Sequence, residues 1–423
     1  MLSPVRPTIR FVTKTGARDR QFRGVLGVRE FRGLWFADVQ SLLGDQIARV
    51  ALSVLVFDRT RSGFWTACVY ALTYLPALIG SELGVLADRM PRRRLLVVGD
   101  LVRAVLIALM ALPSAPLGVV VGLLVAVVVV GAPWKAAESA LVADILGAKS
   151  YAVGVGLRVA TVQGAQLIGF GIGGALVAAV GTRLALAMDA STFALSALLI
   201  LGAVQKRPAA ADRESNNRPR WGGGLRHVLG DRQLATLAGL AWLAGWYVVP
   251  EGLAAPYAAA FGRGPATVGL LLASAPAGVL VGSLVFVRRF DDEARSRWLS
   301  PMAVAAGVPL ALCIGHLELW MVLIAWAASG ACMAYQVQVI AEFVGAVPPN
   351  IRGQAIAVAS AGLLAAQGIG LLLGGVVAQL SSAHVAVAAA GALGSITAVL
   401  LAIIRRRTRA DLVPSLQVKT PEP

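Results

Sequence analysis

The sequence has little charge for its length. Asp, Glu, Lys and Arg supply 14% of its 423 residues, whereas they supply about 25% of a typical soluble protein. Hydrophobic residues supply 57%. This composition excludes an ordinary soluble protein and indicates a chain that lies in lipid.

Residues that could build a disulfide, metal or nucleotide site are also scarce. The three cysteines, Cys68, Cys313 and Cys332, lie in apolar segments, and the three histidines are scattered without an HExxH motif. This distribution excludes a disulfide framework and a zinc site with paired ligands. The letters GxGxxG at Gly169–Gly174 lie inside an apolar segment without a preceding strand, and no P-loop is present. We therefore expect neither a metal nor another cofactor, and no ATP-driven motor.

Apolar runs of about 20 residues can cross a membrane, and the sequence contains twelve such runs. Their predicted limits, which define spans one to twelve, are 34–57, 64–87, 95–113, 117–141, 152–180, 184–204, 233–256, 266–287, 299–315, 318–342, 354–380 and 384–404. An even number of spans places both termini on one side of the membrane.

The basic residues predict the orientation. Of the 38 Lys and Arg residues, 30 lie in segments on the side of the termini, 4 lie in the opposite loops and 4 lie within spans. Because cytoplasmic loops are enriched in Lys and Arg, we predict that both termini are cytoplasmic and that the chain lies in the cytoplasmic membrane. The first 33 residues lack the apolar core of a signal peptide. The net charge of +16 is thus a topology signal, and no nucleic acid is expected as a partner.

The two halves of the chain repeat each other. A glutamine followed by glycines at the third, seventh and eighth positions occurs in span five and again, 201 positions later, in span eleven. The residues are Gln166, Gly169, Gly173 and Gly174 in span five, and Gln367, Gly370, Gly374 and Gly375 in span eleven. These glycines predict close helix packing.

A polar stretch that is rich in Pro, Gly and basic residues separates the two halves and predicts a flexible cytoplasmic linker. The fold class is therefore all-α integral membrane, with two pseudo-symmetric six-helix halves. The predicted parts are a basic cytoplasmic arm (1–33), an N-terminal half (34–204), the linker (205–232), a C-terminal half (233–404) and a cytoplasmic tail (405–423). Related halves are typical of transporters, whose substrate site lies near the midplane between them.

The loop after span two has the spacing G-x-x-x-D-R-x-x-R-R. Its fixed positions are Gly84, Asp88, Arg89, Arg92 and Arg93. A simple positive-inside anchor would also contain arginines. Between spans two and three of a twelve-span chain, however, the pattern resembles the loop signature of the major facilitator superfamily. That resemblance implies a cytoplasmic gate, in which the aspartate meets the start of span eleven (Asn350–Gln354) and an arginine meets Asp144 at the end of span four. Met90 and Pro91 replace the usual glycine step of the family.

The stretch "FRGLWFADVQSLLGDQIARVALSVLVFD" resembles the start of drug and siderophore exporters of an actinobacterial type within this superfamily. The resemblance implies proton-coupled export of small amphipathic compounds. In span five, "GFGIGG" lacks the proline of the G-P-x-x-G-G-like run in the family's antiporters, because Phe170 stands in its place. That difference weakens the argument for antiport.

Charged residues inside spans are costly in lipid and are therefore candidates for function. Asp45, near the midplane, and Arg49 lie four residues apart on one face of span one, and Glu251 follows Pro250 in span seven. We predict that Asp45, Arg49 and Glu251 couple protons or substrate to transport. The alternatives are an internal ion pair that makes Asp45 and Arg49 tolerable in lipid, and a solvent-exposed position for Glu251 near the outer end of its span.

Aromatic and polar residues of spans four, seven and ten are predicted to line an amphipathic cavity. They are Trp134, Trp242, Trp246, Tyr247, Trp326, Tyr335 and Gln336. Such residues also pack against neighbouring helices or lie at the membrane interface. For Lys135, Glu138 and Arg158, near the cytoplasmic ends of spans four and five, we expect structural pairing.

These observations favour a monomeric secondary transporter whose partners are a small-molecule substrate, protons and the lipid bilayer. An importer of a small metabolite would have nearly the same pattern. A non-transporting receptor or scaffold would keep the fold but would not need charges at the midplane. A membrane enzyme would need His, Asp or Cys residues that converge on one membrane face, and the sequence has no such set, so we expect no enzyme.

The Asp88→Asn variant tests the predicted gate. We expect impaired transport with normal membrane insertion, because the charge that meets a helix N-terminus is lost, an interaction worth roughly 0.3 to 2 kcal/mol. Transport rates and the accessibility of both cavity mouths check this prediction. Wild-type transport with unchanged accessibility would show that the loop is not a gate.

Overall fold

The computed structural model describes residues 24–76, 78, 90–207, 221–315, 317–349 and 351–417. These residues are almost entirely α-helical, which confirms the predicted fold class. Among them, eight helical stretches are long and apolar enough to cross a membrane. They cover nine predicted spans, because Val153–Ala203 contains both span five and span six. The motif residues Gly84, Asp88 and Arg89, and Asn350 at the predicted start of span eleven, lie outside the described residues.

The N-terminal half has helices at all six predicted spans. They are Arg29–Thr60 (span one), Gly63–Ala71 (the start of span two), Arg92–Met110 (span three) and the run Leu117–Ala203 (spans four to six). Gly147 and Gly181 break this run, with φ values of 62° and 81°. Left-handed backbone costs a residue with a side chain roughly 1 to 2 kcal/mol, so glycine is favoured at both breaks. Spans four, five and six are therefore separated by single-residue breaks.

The C-terminal half is more segmented. Its helices are Arg232–Trp242, Ala244–Tyr247, Val249–Gly252 and Ala254–Ala260 (span seven), Pro265–Arg289 (span eight), Asp292–Ala305, Val308–Ala311 and the 3₁₀ turn Leu312–Ile314 (span nine), Leu319–Cys332 and Tyr335–Ala346 (span ten), Arg352–Leu380 (span eleven) and Ala383–Gln417 (span twelve). Within span seven, Pro250 lacks the N–H that a continuous helix needs. Asp231 caps the first segment of span seven by accepting hydrogen bonds from the backbone N–H groups of Gln233 and Leu234.

Two segments differ from the predicted linker and tail. The predicted linker contains a helix, Trp221–Gly230, in which Val228 is fully buried. This helix packs closely on span eleven, because a Cβ atom added to Gly224 would lie 3.0 Å from Gln354 Cβ. Apolar burial therefore orders part of a stretch whose composition suggested flexibility. The last helix continues to Gln417, beyond the predicted end of span twelve.

The repeated glycines occupy equivalent helix contacts. Gly169 and Gly173 face span one, where Cβ atoms added to them would lie 2.7 and 3.1 Å from its atoms. Gly370 and Gly374 face span seven in the same way. The offset of 201 positions in the sequence thus corresponds to two similar helix pairs, one in each half.

The next glycine of each repeat joins the two halves. A Cβ added to Gly174 of span five would lie 2.7 Å from Gly269 Cα of span eight, and a Cβ added to Gly375 of span eleven would lie 2.9 Å from Ala67 Cβ of span two. All four residues lie near the ends of their spans that are distant from the termini. We call this end of the helix bundle the far face.

The buried apolar side chains show the same division. The largest cluster among the described residues combines both halves and includes Val50, Phe170, Leu271 and Leu371. A second cluster belongs to the N-terminal half alone and a third belongs to the C-terminal half alone. Both smaller clusters lie at the ends of the spans that are near the termini. Within the part of the chain that the structure describes, the apolar core is therefore continuous at the far face and split in two near the termini.

The outer surface of the helices is suited to lipid. Large apolar side chains are exposed along several spans, for example Leu198 (65%), Val281 (60%) and Leu400 (57%). In water, contiguous apolar surface of this kind promotes association. In a bilayer, it faces the hydrocarbon core.

The Gly174→Ala variant tests the close contact between spans five and eight at the far face. We expect this variant to lose about 1 to 3 kcal/mol of stability through overpacking or to open the far face, because backbone atoms of span eight occupy the space. Thermal unfolding of the purified protein and labelling of cysteines placed at the far face would measure these effects. Gly171→Ala is the matched control in the same helix, since nothing lies within 4 Å of its added Cβ. Equal behaviour of the two variants would contradict the proposed contact.

Candidate substrate cavity

A cavity of ≈ 500 Å³ lies between spans one, four and five. Sites for small molecules commonly measure about 300 to 1,000 Å³. The described residues that line it lie between positions 31 and 166 and come mainly from 31–49, 134–142 and 151–166. These stretches are the parts of the three spans nearest the termini. We call it the N-half cavity.

The N-half cavity is lined by an unusual number of charged residues for a membrane-spanning region. They are the acidic residues Asp38, Asp45 and Glu138 and the basic residues Arg49, Arg103, Lys135 and Arg158. Charges at this depth face cavities or one another because hydrocarbon cannot solvate them. The partners of each charge therefore decide what the cavity can bind.

Arg158 compensates two of the acidic residues. Its guanidinium forms an ion pair with Glu138, and its Nε lies 3.6 Å from Asp38 Oδ2. Both acidic side chains are almost fully buried, at 2% and 7% exposure. The geometry gives Arg158 a structural role near the mouth of the cavity.

Arg103 is held by a second network, which sequence reasoning missed. Its guanidinium pairs with Asp100, which is fully buried and accepts a hydrogen bond of 2.6 Å from Ser196 Oγ. The guanidinium carbon also lies 4.7 and 4.4 Å from the ring centroids of Trp134 and Phe193. Cation–π contacts on both sides help to stabilise this buried charge. The available signal was the spacing of Asp100 and Arg103, three residues apart on one helix.

Asp45 and Lys135 line the cavity without a close partner. Among the described residues, neither side chain forms an ion pair or a hydrogen bond. Asp45 lies within electrostatic range of Arg103, Arg49 and Lys135. The ion pair between Asp45 and Arg49 that their spacing allows is thus not present in the described structure. These two unpaired charges are available to a ligand or to protons.

Arg49 instead faces the junction of the two halves. Its guanidinium carbon lies 6.0 Å from the ring centroids of both Tyr70 and Tyr74 in span two. Tyr70 Oη donates a hydrogen bond of 2.8 Å to Glu251 Oε2 in span seven. The partly buried Glu251 therefore contacts the other half of the protein. We call Arg49, Tyr70, Tyr74 and Glu251 the junction cluster.

Tyr247 does not share the surroundings of Glu251, although the two residues are four positions apart. Its hydroxyl donates a hydrogen bond of 2.7 Å to the Ala303 carbonyl in span nine. Span seven is divided between these residues, so their side chains reach different spans.

Asp189 in span six is a further buried acid that sequence reasoning missed. It is 1% exposed, and its Oδ1 lies beside Gly44, where a Cβ atom would collide with it. Its Oδ2 has no hydrogen-bond partner among the described residues. The signal was its position inside an apolar run, the same criterion that identified Asp45.

Most of the residues predicted to line a cavity make helix-packing contacts in the described structure. Trp134 lines the N-half cavity, but the other six belong to the C-terminal half and do not line it. Four of them donate to backbone carbonyl groups: Trp242 to Ala359, Tyr247 to Ala303, Tyr335 to Leu240 and Gln336 to Ala241. Trp246 and Trp326 pack in or against the large apolar cluster. These aromatic residues hold span seven and its neighbours together.

The described part of the loop motif contacts the N-terminal half. Arg92 is paired with Asp144 at the end of span four, and Arg93 donates to the Leu201 carbonyl in span six. The first contact joins the residues that the family resemblance implied. Its role in gating stays a prediction.

Comparison with known proteins gives a family and a fold. The model of a major facilitator family described as transmembrane secretion effector matches residues 25–423. A POT family transporter crystallised with 5-aminolevulinic acid is 12% identical, with a TM-score of 0.70 over 90% of this chain and 96% of that chain. A bacterial homolog of the human lysosomal transporter Spinster, in an inward-facing, unoccupied conformation, is 16% identical, with a TM-score of 0.65 over 89% of this chain and 95% of that chain. The nucleoside transporter NupG is 11% identical, with a TM-score of 0.68 over 88% of this chain and 98% of that chain. No curated protein matches the sequence.

The buried ion pair of Asp100 with Arg103 and the more exposed ion pair of Asp144 with Arg92 should contribute differently to stability. Asp100→Asn should cost roughly 3 to 5 kcal/mol, because it leaves the Arg103 charge buried without its partner. Asp144→Asn should cost about 1 kcal/mol or less, because that aspartate is 43% exposed. Thermal unfolding in detergent measures the stability of both variants. The double variant Asp100→Asn/Arg103→Met should recover part of the stability that Asp100→Asn loses. Equal destabilisation by both single variants would contradict this assignment.

Proposed function

Because this chain belongs to the transmembrane secretion effector family of the major facilitator superfamily, we propose that it exports small amphipathic compounds in exchange for protons. It is a multi-pass membrane protein and a secondary transporter. The direction of transport, the coupling ion and the class of substrate are the proposed parts. The proposal also places the chain in the cytoplasmic membrane as a monomer.

The observation that carries the proposal is the split of the apolar core. Among the described residues, the halves share one core at the far face and have separate cores near the termini. The Lys and Arg distribution supports cytoplasmic termini, and with that orientation the described residues of the two halves pack together on the outer side and form separate clusters on the cytoplasmic side. An exporter in this state can load its substrate from the cytoplasm into the N-half cavity.

Transport then requires the contacts at the far face to separate and new contacts to form on the cytoplasmic side. Besides the glycine contacts, Ser62 Oγ donates a hydrogen bond of 2.7 Å to Gln379 Oε1, and Tyr70 donates to Glu251. Both bonds join the N-terminal half to the C-terminal half. On the cytoplasmic side, the loop that contains Asp88 and Arg92 is the proposed gate.

Asp45 is the proposed site where protons and substrate compete. A carboxylate without a close partner can bind a proton or a cationic group of the substrate, and binding of one disfavours the other. Substrate entering from the cytoplasm would release the proton, and a proton taken from outside would reset the carrier. This exchange is antiport without a bound nucleotide.

Glu251 is the proposed link between proton binding and the far face. Its negative charge lies within electrostatic range of Arg49 across the junction of the halves. A proton on Glu251 would remove that attraction and weaken the acceptor of the Tyr70 hydrogen bond. The protonation state of Glu251 would therefore set the strength of the contact between the halves at this point.

Transport by Asp45→Asn in proteoliposomes tests the coupling. We expect loss of uphill, pH-driven transport and retention of substrate exchange down its own gradient, because the variant still binds substrate but carries no proton. Asp58→Asn is the matched control, since Asp58 is an exposed residue of the same helix. If Asp45→Asn keeps full pH-driven accumulation and Glu251→Gln loses it, the coupling site lies in span seven.

The direction needs a separate measurement. Inside-out vesicles with an acidic interior should accumulate a transported compound if the protein exports it in exchange for protons. Accumulation in right-side-out vesicles with an alkaline interior, and none in the inside-out vesicles, would identify a proton-driven importer on the same fold.

A further inference from the structure

Among the described residues that line the N-half cavity, Asp45 and Lys135 are oppositely charged and have neither an ion pair, a hydrogen bond nor an aromatic contact, and we infer that the cavity binds a zwitterionic amphipathic compound. An anionic group of the ligand would lie at Lys135 and an ammonium group would lie at Asp45. This inference deepens the proposed function, because it names the class of compound that the cavity takes. Binding can be measured without transport, so the two proposals can fail separately.

Among the described basic residues that line the cavity, Lys135 has neither an acidic partner nor an aromatic contact. Arg158 pairs with Glu138 and lies near Asp38, and Arg103 pairs with Asp100 between two aromatic rings. Arg49 faces the rings of the junction cluster and the Glu251 charge. Lys135 is exposed to the cavity and forms no ion pair or hydrogen bond with a described residue.

Asp45 is the corresponding acidic residue. Asp38 and Glu138 share Arg158 as their ion-pair partner. Asp45 is half-buried, lines the cavity and forms neither an ion pair nor a hydrogen bond with a described residue. Asp45 belongs to span one and Lys135 to span four, so the two charges come from different walls. A ligand that touches both needs its own charges at separate positions.

The opposite signs of these residues discriminate among ligands by charge. A ligand displaces water from the cavity, and a charge that then lacks a partner is costly. A cation satisfies Asp45 but repels Lys135, an anion does the reverse, and a neutral compound satisfies neither. A zwitterion that lies antiparallel to the Lys135–Asp45 dipole satisfies both.

The remaining surface favours an apolar body between the two charges. Phe31, Trp35 and Trp134 line the N-half cavity. Spans seven, eight, ten and eleven repeat spans one, two, four and five. If the first and last residue of each span are left out, these four spans contain one charged residue, Glu251. The half of the protein across from the cavity is thus nearly uncharged along these spans.

A series of four compounds with one aromatic body tests this inference. The probes are the dipeptide phenylalanyl-phenylalanine, its C-terminal amide, its N-acetyl form and its N-acetyl amide, which are a zwitterion, a cation, an anion and a neutral compound at neutral pH. Calorimetry on the purified full chain should give the zwitterion a Kd at least about 10-fold lower than that of each other probe, as expected for one extra hydrogen bond to a charged group.

Two variants assign the charges to their residues. Lys135→Gln should remove the preference for the zwitterion over the cation, because the carboxylate loses its partner. Asp45→Asn should remove the preference for the zwitterion over the anion. The matched controls are Lys206→Gln and Asp58→Asn, two exposed residues that do not line the cavity, and both should keep the wild-type order of affinities.

Three outcomes would overturn the inference: equal affinity for all four probes, tightest binding of a singly charged probe, or no binding of the zwitterion below about 10 mM. That concentration corresponds to a binding free energy of about 2.7 kcal/mol. Unchanged selectivity in both Lys135→Gln and Asp45→Asn would also overturn it. Zwitterion-selective binding without pH-driven transport would instead contradict the proposed proton coupling. Proton-driven transport of compounds without this selectivity would leave the proposed function standing and refute the zwitterion site.

Discussion

The close contact between the two halves at the far face is the constraint on which the rest of the structure depends. Lipid supplies no hydrophobic force between helices, so they associate through close packing and hydrogen bonds. Gly174 and Gly269 allow two backbones to meet, and Gly375 does the same beside Ala67. With the halves held at this end, their other ends are free to enclose a cavity.

That separation explains where the charges lie. Seven ionisable side chains among the described residues line the N-half cavity, and each would be expensive against hydrocarbon. Most of them are compensated inside the N-terminal half, by one another or by the aromatic rings around Arg103. The polar surface thus resides in one half, while the repeated scaffold of the other half is used for packing. Symmetry of the backbone does not extend to the chemistry of the two halves.

Hydropathy and spacing predicted the spans, the fold and the repeated glycines, because these features are local or periodic. Partners distant in sequence were not predictable. Tyr70 and Glu251 are 181 positions apart, and nothing local indicates that they meet. The predicted cavity residues of spans seven and ten show the same limit, since a single sequence does not reveal which face of a helix meets a neighbour. The division of span seven then directs Tyr247 and Glu251 to different spans.

The run Leu117–Ala203 has a mechanical consequence. Its two breaks are single glycines, so spans four, five and six are joined without flexible loops. A helix of about 27 residues is about 40 Å long, and span five reaches from the mouth of the cavity to the contact of Gly174 with Gly269. A rotation of about 10° at that contact would move the opposite end by about 7 Å over such a length. Span five of this run therefore converts a small rotation at the Gly174–Gly269 contact into a large change in the width of the cavity.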